Sequence, residues 1–311
     1  MAQSSGVVLR LGSRGSPLAL AQAEMVRRAL AVAHGFDPER VEIQVIRTSG
    51  DRIQDRPLAD LGGKGLFTKE IEEALAAGSI DLAVHSSKDM PTVLPAGLVL
   101  AAFLPREDAR DAFISRKAKS IAALAPGATI GTASLRRQAL VRKLRPDLQV
   151  VSLRGNVETR LRRIDEGAAD ATLLALAGLK RLGLAGSVTA VLGVDEFLPA
   201  VGQGAIGIET RANDDRTRRL LDPINHADTA IALAAERSFL ATLDGSCCTP
   251  IAGHATVAGG ELRFRGMILK PDGSESCETA RTGAAADAVK LGDDAGRELR
   301  ARAGPDFFSG G

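Results

Sequence analysis

Val7-Val8-Leu9-Arg10-Leu11-Gly12-Ser13-Arg14-Gly15-Ser16-Pro17-Leu18-Ala19-Leu20 is the stretch that decides the fold. Val7 to Leu11 reads as a short buried strand. It runs into a tight polar turn in which Ser16 suits a helix N-cap and Pro17 the first helical position. The spacing predicts a helix over Leu18 to Ala33, stopped near Gly35. A strand feeding a helix through such a turn is the repeating unit of an α/β protein. The helix N-terminus, carrying Arg14 and Ser16, offers free backbone N–H groups to an anion. Capping alone accounts for Ser16 equally well.

The same unit recurs along the chain. Val41 to Arg47 alternates apolar and polar residues and reads as a strand ended by Thr48-Ser49-Gly50-Asp51. Asp60 to Phe67 holds three glycines around Lys64, and a helix to Ala77 follows. This suggests a mobile loop with one cation. It is not a Walker A loop, because the Lys-Ser/Thr spacing is missing, and a plain flexible linker reads as well. Ile80 to Val84 is a strand that delivers His85-Ser86-Ser87-Lys88-Asp89-Met90-Pro91. Ligands of open α/β sheets sit outside the carboxyl ends of strands, so Lys88 and Asp89 stand where a carboxylate could handle a proton or oppose a developing positive charge. A surface Lys–Asp pair is the plainer account. His85 reads as a structural hydrogen-bonding group, and no second His or Cys lies at metal spacing, so no metal site is expected.

After a strand over Val99 to Leu104, a second series begins. Thr129-Ile130-Gly131 leads to Ser134, which can cap a helix from Leu135 to Leu144. Val150 to Leu153 and Ala171 to Ala175 read as strands leading to Arg154-Gly155-Asn156 and to Gly178-Leu179-Lys180-Arg181. Arg136 and Arg137 fall in the first turn of their helix. The helix dipole disfavours cations there, which implies an anion. Gly202-Gln203-Gly204-Ala205-Ile206-Gly207 fits G-x-G-x-x-G, but it leads into a strand rather than a helix, which excludes a dinucleotide fingerprint. It reads as a crossover in which Gln203 can bond a ligand. Asp228 to Leu243 is a helix carrying Glu236 and Arg237. Strands over Ile251 to Ala258, Glu261 to Lys270 and Glu275 to Arg281, with a Pro271-Asp272-Gly273 turn and a helix over Ala284 to Ala303, make a small α+β unit.

Composition narrows the function. Among 311 residues, 45% are hydrophobic and 25% charged, enough for two or three cored domains. No apolar run is long enough to span a bilayer, the N-terminus lacks the regions of a signal peptide, and three cysteines make no disulfide framework. A reduced, cytoplasmic protein is expected. Net charge is +2, yet residues 136–163 hold eight arginines and one lysine against Asp147 and Glu158. Such a cluster wants an anion. With no Trp or Tyr and nine Phe, base-stacking platforms are lacking. A small ligand with several carboxylates or phosphates suits the guanidinium forks better. Leu243-Asp244-Gly245-Ser246-Cys247-Cys248-Thr249-Pro250 places two adjacent cysteines on a loop, where a thiol is open to covalent chemistry. Two ordinary small apolar residues are the plainer reading.

Taken in order, the segments 11–20, 62–67 (Gly-Gly-Lys-Gly-Leu-Phe), 85–91, 131–138 (Gly-Thr-Ala-Ser-Leu-Arg-Arg-Gln), 153–161 (Leu-Arg-Gly-Asn-Val-Glu-Thr-Arg-Leu), 177–183, 202–209 and the cysteine loop closely resemble the porphobilinogen deaminase (hydroxymethylbilane synthase) family from about residue 8 to 254. The resemblance implies two doubly wound α/β domains like those of type II periplasmic binding proteins, comprising 1–104 with 204–225 and 105–203. It also implies a C-terminal α+β domain, 226–311, with a three-stranded antiparallel sheet. The implied activity joins four porphobilinogen molecules head to tail with loss of ammonia, on a dipyrromethane cofactor linked by a thioether to Cys247, in tetrapyrrole biosynthesis. Asp89 is the implied catalytic residue, set against the pyrrole N–H, where it opposes the positive charge of the azafulvene left by ammonia. Lys88, Ser134, Arg136 and Arg137, with Asp89, are the implied cofactor-binding residues. Arg14, Ser16, Arg154, Arg160, Arg181 and Gln203 are the implied substrate-binding residues. Lys64 and Phe67 belong to an implied lid. A monomer acting on a small molecule, without nucleic acid or membrane, is implied as well. Ser87 and Ser246 depart from the residues common in the family, a larger apolar residue and glycine respectively, and Cys248 is a neighbour the motif does not require.

Two other readings use the same residues. A non-catalytic two-lobed binder of a polycarboxylate would need neither Cys247 nor Asp89. An RNA-binding protein would show a strong salt-dependent affinity.

Overall fold

A computed structural model describes residues 6–52, 68–245, 249–304 and 307. The first half of the chain runs β1 (Leu9–Ser13), α1 (Pro17–His34), β2 (Val41–Val45), α2 (Ser49–Arg52), α3 (Lys69–Ala76), β3 (Leu82–Ser86) and β4 (Leu98–Phe103). The second half runs β5 (Asp111–Ser115), β6 (Thr129–Gly131), α4 (Leu135–Leu144), β7 (Gln149–Val151), α5 (Val157–Asp165), β8 (Ala171–Ala175), α6 (Leu176–Arg181) and β9 (Ala190–Val191). The rest comprises β10 (Ile206–Arg211), α7 (Asp215–Leu221), α8 (Ala227–Thr242), β11 (Ile251–Ala258), β12 (Glu261–Leu269), β13 (Ser276–Ala284) and α9 (Ala288–Ala303).

Two five-stranded sheets share one plan. Their orders are β2-β1-β3-β10-β4 and β7-β6-β8-β5-β9. In each, three parallel strands are followed by one antiparallel strand and an edge strand. The antiparallel strand arrives across a crossover from the other sheet: β4 leads to β5, and β9 leads back to β10. Both sheets are covered on two faces. Leu82 and Val84 of β3 pack with Ala23, Val26 and Leu30 of α1, whereas Ala83 between them packs with Ile71 and Leu75 of α3. Period-two alternation thus sends α1 and α3 to opposite faces. In the second sheet Phe113 and Leu173 pack with Leu140 of α4, and Ala112, Ile114 and Leu174 pack with Leu176 and Leu179 of α6. The doubly wound α/β reading holds for both halves, with a third, antiparallel sheet β11-β12-β13 beyond them.

Local signals placed the helices well. Ser16 accepts a hydrogen bond from the Ala19 amide, and Gly35 closes α1 in the left-handed region at φ 65°. Ser134 accepts from Arg137 N, and Asn156 from Thr159 N. Three readings are corrected. Asp111–Ser115, unread in the sequence, is a central strand. Gly178-Leu179-Lys180-Arg181, read only as the segment to which a strand leads, lies in α6, which starts directly after β8 without a side-chain cap. The strand 206–209 is longer and runs antiparallel. Antiparallel insertion leaves no mark in a local pattern, because the pairing partner is remote in the chain.

The crossovers, 104–110 and 192–205, run side by side. Leu104 N donates to Ile206 O, Glu107 N to Gly204 O and Leu192 N to Asp111 O. Gly204, at φ 88°, allows this approach, since a Cβ there would lie 2.4 Å from the Glu107 carbonyl oxygen. Arg106 pins the pair to the third unit. Its Nε donates to Gln203 O at 2.9 Å, and its Nη1 and Nη2 donate to Glu236 of α8 at 2.5 and 3.2 Å. The fully buried Glu236 also accepts from Gly202 N and Ala255 N, both at 2.7 Å. Behind it, α8 and α9 pack closely, because a Cβ at Gly292 would come within 2.1 Å of Ala235 O.

Removing one partner of a buried ion pair strands the other charge, at a cost of about 3–5 kcal/mol. Glu236→Gln is therefore expected to lower the unfolding free energy obtained from urea titration by an amount in that range. A loss below about 1 kcal/mol would show that Arg106 is not held by this carboxylate.

Candidate active site

The parallel strands of both sheets bring their carboxyl ends to polar turns. In the first sheet β1 leads to Arg14 and Ser16, and its parallel neighbour β3 leads to a 3-10 turn, Ser87–Asp89. In the second sheet β6 leads to Ser134, Arg136 and Arg137, β7 to Arg154, and β8 through α6 to Arg181. β5 enters from the opposite direction, so its first residue, Asp111, lies opposite Ala175 at the end of β8.

Asp111 is the centre of this edge. Its side chain is fully buried, and those of Arg136 and Arg137 are 4% and 6% exposed. Oδ2 accepts from Arg136 Nη2 at 2.8 Å. Oδ1 accepts from Arg137 Nη2 at 2.6 Å, Arg137 Nε at 3.0 Å and Gln203 Nε2 at 3.1 Å. Burial by itself would raise this carboxyl's pKa, but the two guanidinium groups overturn that and hold it at about 2. The remaining arginine donors reach backbone: Arg136 Nη1 donates to Leu198 O and Arg137 Nη1 to Leu173 O. Arg136 also lies over the Phe197 ring, 5.7 Å from its centroid. The anion that two arginines at a helix N-terminus imply is thus supplied in part by the protein. Gln203, expected at a ligand, spends its amide N–H groups on Asp111 and on Ala109 O.

Five cations and two carboxylates share this neighbourhood. Lys88 feels Arg137, Arg136, Asp89 and Asp111, and Arg160 feels Arg137, Arg154 and Asp89. Lys88 is half-buried. Burial first, then Arg137, lower its pKa to about 8 against the opposing pull of Asp89 and Asp111. Burial likewise brings Arg160 to about 10. Lys88, Asp89 and Arg154 make no hydrogen bond or ion pair with other described residues, and Asp89 is exposed. Arg160 Nε is held by Gly155 O at 2.9 Å. Arg181 faces Lys88 across a small cavity also lined by Leu18, Gln22, Ser86 and Gly202, and its Nη2 donates to Gly204 O at 2.6 Å.

Three buried polar atoms of these residues have no partner among the described residues: Arg136 Nε, Arg181 Nε and Gln203 Oε1. Leaving the two guanidinium N–H groups unpaired costs free energy that a bound acceptor recovers, whereas Gln203 Oε1 needs a donor. A ligand with several carboxylates fits these donors, and the exposed carboxylate of Asp89 lies near Lys88 and Arg160. A larger cavity, lined by Arg106, Asp108, Arg110, Val194 and His254 among others, shares none of these residues. Its arginines are already paired, Arg106 with Glu236 and Arg110 with Asp108.

Ser16 and Ser134 both act as caps, and no described hydrogen bond ties Ser16 to the arginine cluster. His85 is the structural group the sequence suggested, buried and 3.1 Å from Glu209 Oε2. The expectations for Cys247, Cys248, Lys64 and Phe67 fall outside the described residues. The flanks of the cysteine loop are held: Gly245 N donates to Leu240 O, Ile251 N to Thr249 O, and Leu243 and Ile251 enter the core around Phe239 and Phe264. Asp111 was missed. Its only sequence signal is an acid heading the apolar run Asp111-Ala112-Phe113-Ile114.

The family described as "Porphobilinogen deaminase, dipyromethane cofactor binding domain" matches residues 9–219, and "Porphobilinogen deaminase, C-terminal domain" matches residues 230–301. A protein of Nitrobacter winogradskyi named porphobilinogen deaminase is 65% identical over 303 residues, covering 97% of this chain and 96% of its own. Another of that name, from Nitrobacter hamburgensis, is 64% identical over 310 residues, covering 99% and 98%. Among solved structures, a putative methionine-binding lipoprotein of Bacillus subtilis aligns over 70% of this chain and 90% of its own, with 15% identity and a TM-score of 0.44. The chain belongs to the porphobilinogen deaminase family.

Proposed function

We propose that this chain joins four porphobilinogen molecules head to tail into hydroxymethylbilane on a dipyrromethane primer carried by Cys247, with Asp89 as its catalytic residue. The observation that carries the reading is Asp89 itself: a carboxylate with no partner among the described residues, on a short turn beside Lys88 and Arg160. An unpaired acid among cations suits a step in which positive charge appears on a bound pyrrole.

When bound, the dipyrromethane supplies an electron-rich pyrrole carbon at which chain growth starts. In each condensation a carbon–carbon bond forms, the aminomethyl C–N bond breaks, and the ring proton of the attacking carbon is lost. The departing ammonia and that proton balance the step. Asp89 stabilises the cationic ring and accepts or relays the proton. Lys88, Arg154 and Arg160 bind the acetate and propionate groups, and the partly satisfied Arg136, Arg137 and Arg181 add further donors. Arg14 and Ser16 extend the site along the first sheet, Ser134 and Gln203 border it, and Lys64 and Phe67 belong to its cover. The domain division 1–104 with 204–225, 105–203 and 226–311 is supported by the three separate sheets. A cytoplasmic monomer is part of the proposal and rests on the family resemblance.

Asp89→Asn keeps the size of the side chain and removes its charge. It should retain the primer while ammonia release from porphobilinogen falls about 10²- to 10⁴-fold, the usual contribution of a positioned acid–base group. Turnover within about threefold of wild type would remove Asp89 from the mechanism.

Lys88 carries its charge below about pH 8 and loses it above. Binding of porphobilinogen to primer-free Cys247→Ser protein, measured by calorimetry, should therefore weaken as pH rises through about 8. The double variant with Lys88→Met should bind more weakly and without that step. An identical pH dependence in both proteins would assign the titration to another group.

A further inference from the structure

We propose that Asp111 is a positioning residue for the reaction: its buried carboxylate fastens Arg136 and Arg137 to both crossovers, so that the cation cluster and the junction between the two sheets are set as one unit. The inference rests on the porphobilinogen deaminase reading of the site.

Three observations support it. First, Asp111 is itself the end of one crossover and the start of β5, and its neighbour Ala109 gives its carbonyl to Gln203 Nε2 at 2.7 Å. Second, Gln203 belongs to the other crossover, and the same amide nitrogen donates to Asp111 Oδ1. Arg136 Nη1 reaches that second crossover again at Leu198 O, 2.8 Å away. Third, nothing else among the described residues neutralises the two arginines, since Asp111 is the partner in both of their ion pairs. Without it, two buried guanidinium groups would repel each other at the base of the cleft, and their aim toward a ligand would be lost. Lys88 lies within the field of this assembly. The charged groups facing it are Arg136 and Arg137 on α4, Asp111 on β5, Asp89 on its own turn and Arg181 on α6 across the cavity.

Asp111 touches no reacting atom in this scheme, so its effect should be on how the site is assembled. The test uses full-length wild type, Asp111→Asn and Asp111→Glu, each produced without access to porphobilinogen so that no primer is present. Primer assembly on adding porphobilinogen is followed by intact mass across a range of pH, with folding checked by circular dichroism and urea unfolding. Folded Asp111→Asn should assemble primer about 100-fold more slowly, the scale of loss for a displacement of about 1 Å. Its alkaline loss of assembly should move to lower pH, because Lys88 has lost a neighbouring negative charge. Asp111→Glu keeps that charge and should be slower than wild type with the wild-type pH limb. Folded Asp111→Asn with the wild-type rate and pH limb would overturn the proposal. So would variants that lose stability while their folded fraction assembles primer normally. If Asp111→Asn does not fold, Asp111→Glu decides alone: a wild-type rate overturns the proposal, and a slowed rate at an unchanged limb supports it. Failure of wild type itself to gain mass would instead refute the functional reading.

Discussion

The ion pairs that Asp111 makes with Arg136 and Arg137 are the constraint on which the site depends. Placing two guanidinium groups side by side in a low-dielectric interior costs several kcal/mol per ion unless a counter-charge is fixed nearby. Topology supplies that counter-charge. Because β5 runs antiparallel to β8, its first residue falls at the carboxyl edge of the parallel strands, where ligands of α/β sheets bind. One carboxylate then supports two arginines and leaves an excess of positive charge at the cleft.

Arg136 and Arg137 are buried and bonded, while Lys88 and Arg154 make no hydrogen bond or ion pair with other described residues. Paired arginines beside cations without a described partner suit the proposed ligand, which gains carboxylates as it grows. The interaction of Arg106 with Glu236 performs a parallel task at the junction, tying the paired crossovers to α8, from whose C-terminal end the cysteine loop departs. The third unit is also joined to the two sheets by apolar packing, Ala252, Met267 and Leu269 with Phe113 and Phe197, and Leu233 with Phe103 and Ala205.

Local chemistry was legible in the sequence wherever cause and effect lie within a few residues. Ser16 with Pro17, Ser134 and Asn156 marked helix starts that the structure places at the expected residues. Lys88 and Asp89 were found because a strand end followed by charged residues is itself a local pattern. β5 escaped, since Asp111-Ala112-Phe113-Ile114-Ser115 takes its meaning from pairing with β8, some sixty residues away, and from a change of direction that leaves no periodic trace. Arg136 and Arg137 were read as a site seeking an anion, and the anion they meet in the structure is internal, Asp111. Gln203 was likewise found as a polar residue in a crossover, without any hint that its amide faces Asp111.

The account holds that this cleft exists to grow a polycarboxylate on a covalent primer. The most direct measurement is the intact mass of wild-type protein and of Cys247→Ser, each with peptide mapping. The account predicts an excess of two linked pyrroles on Cys247 that is absent from the variant. An active wild-type protein with no adduct, or an adduct that persists unchanged in Cys247→Ser, would contradict it.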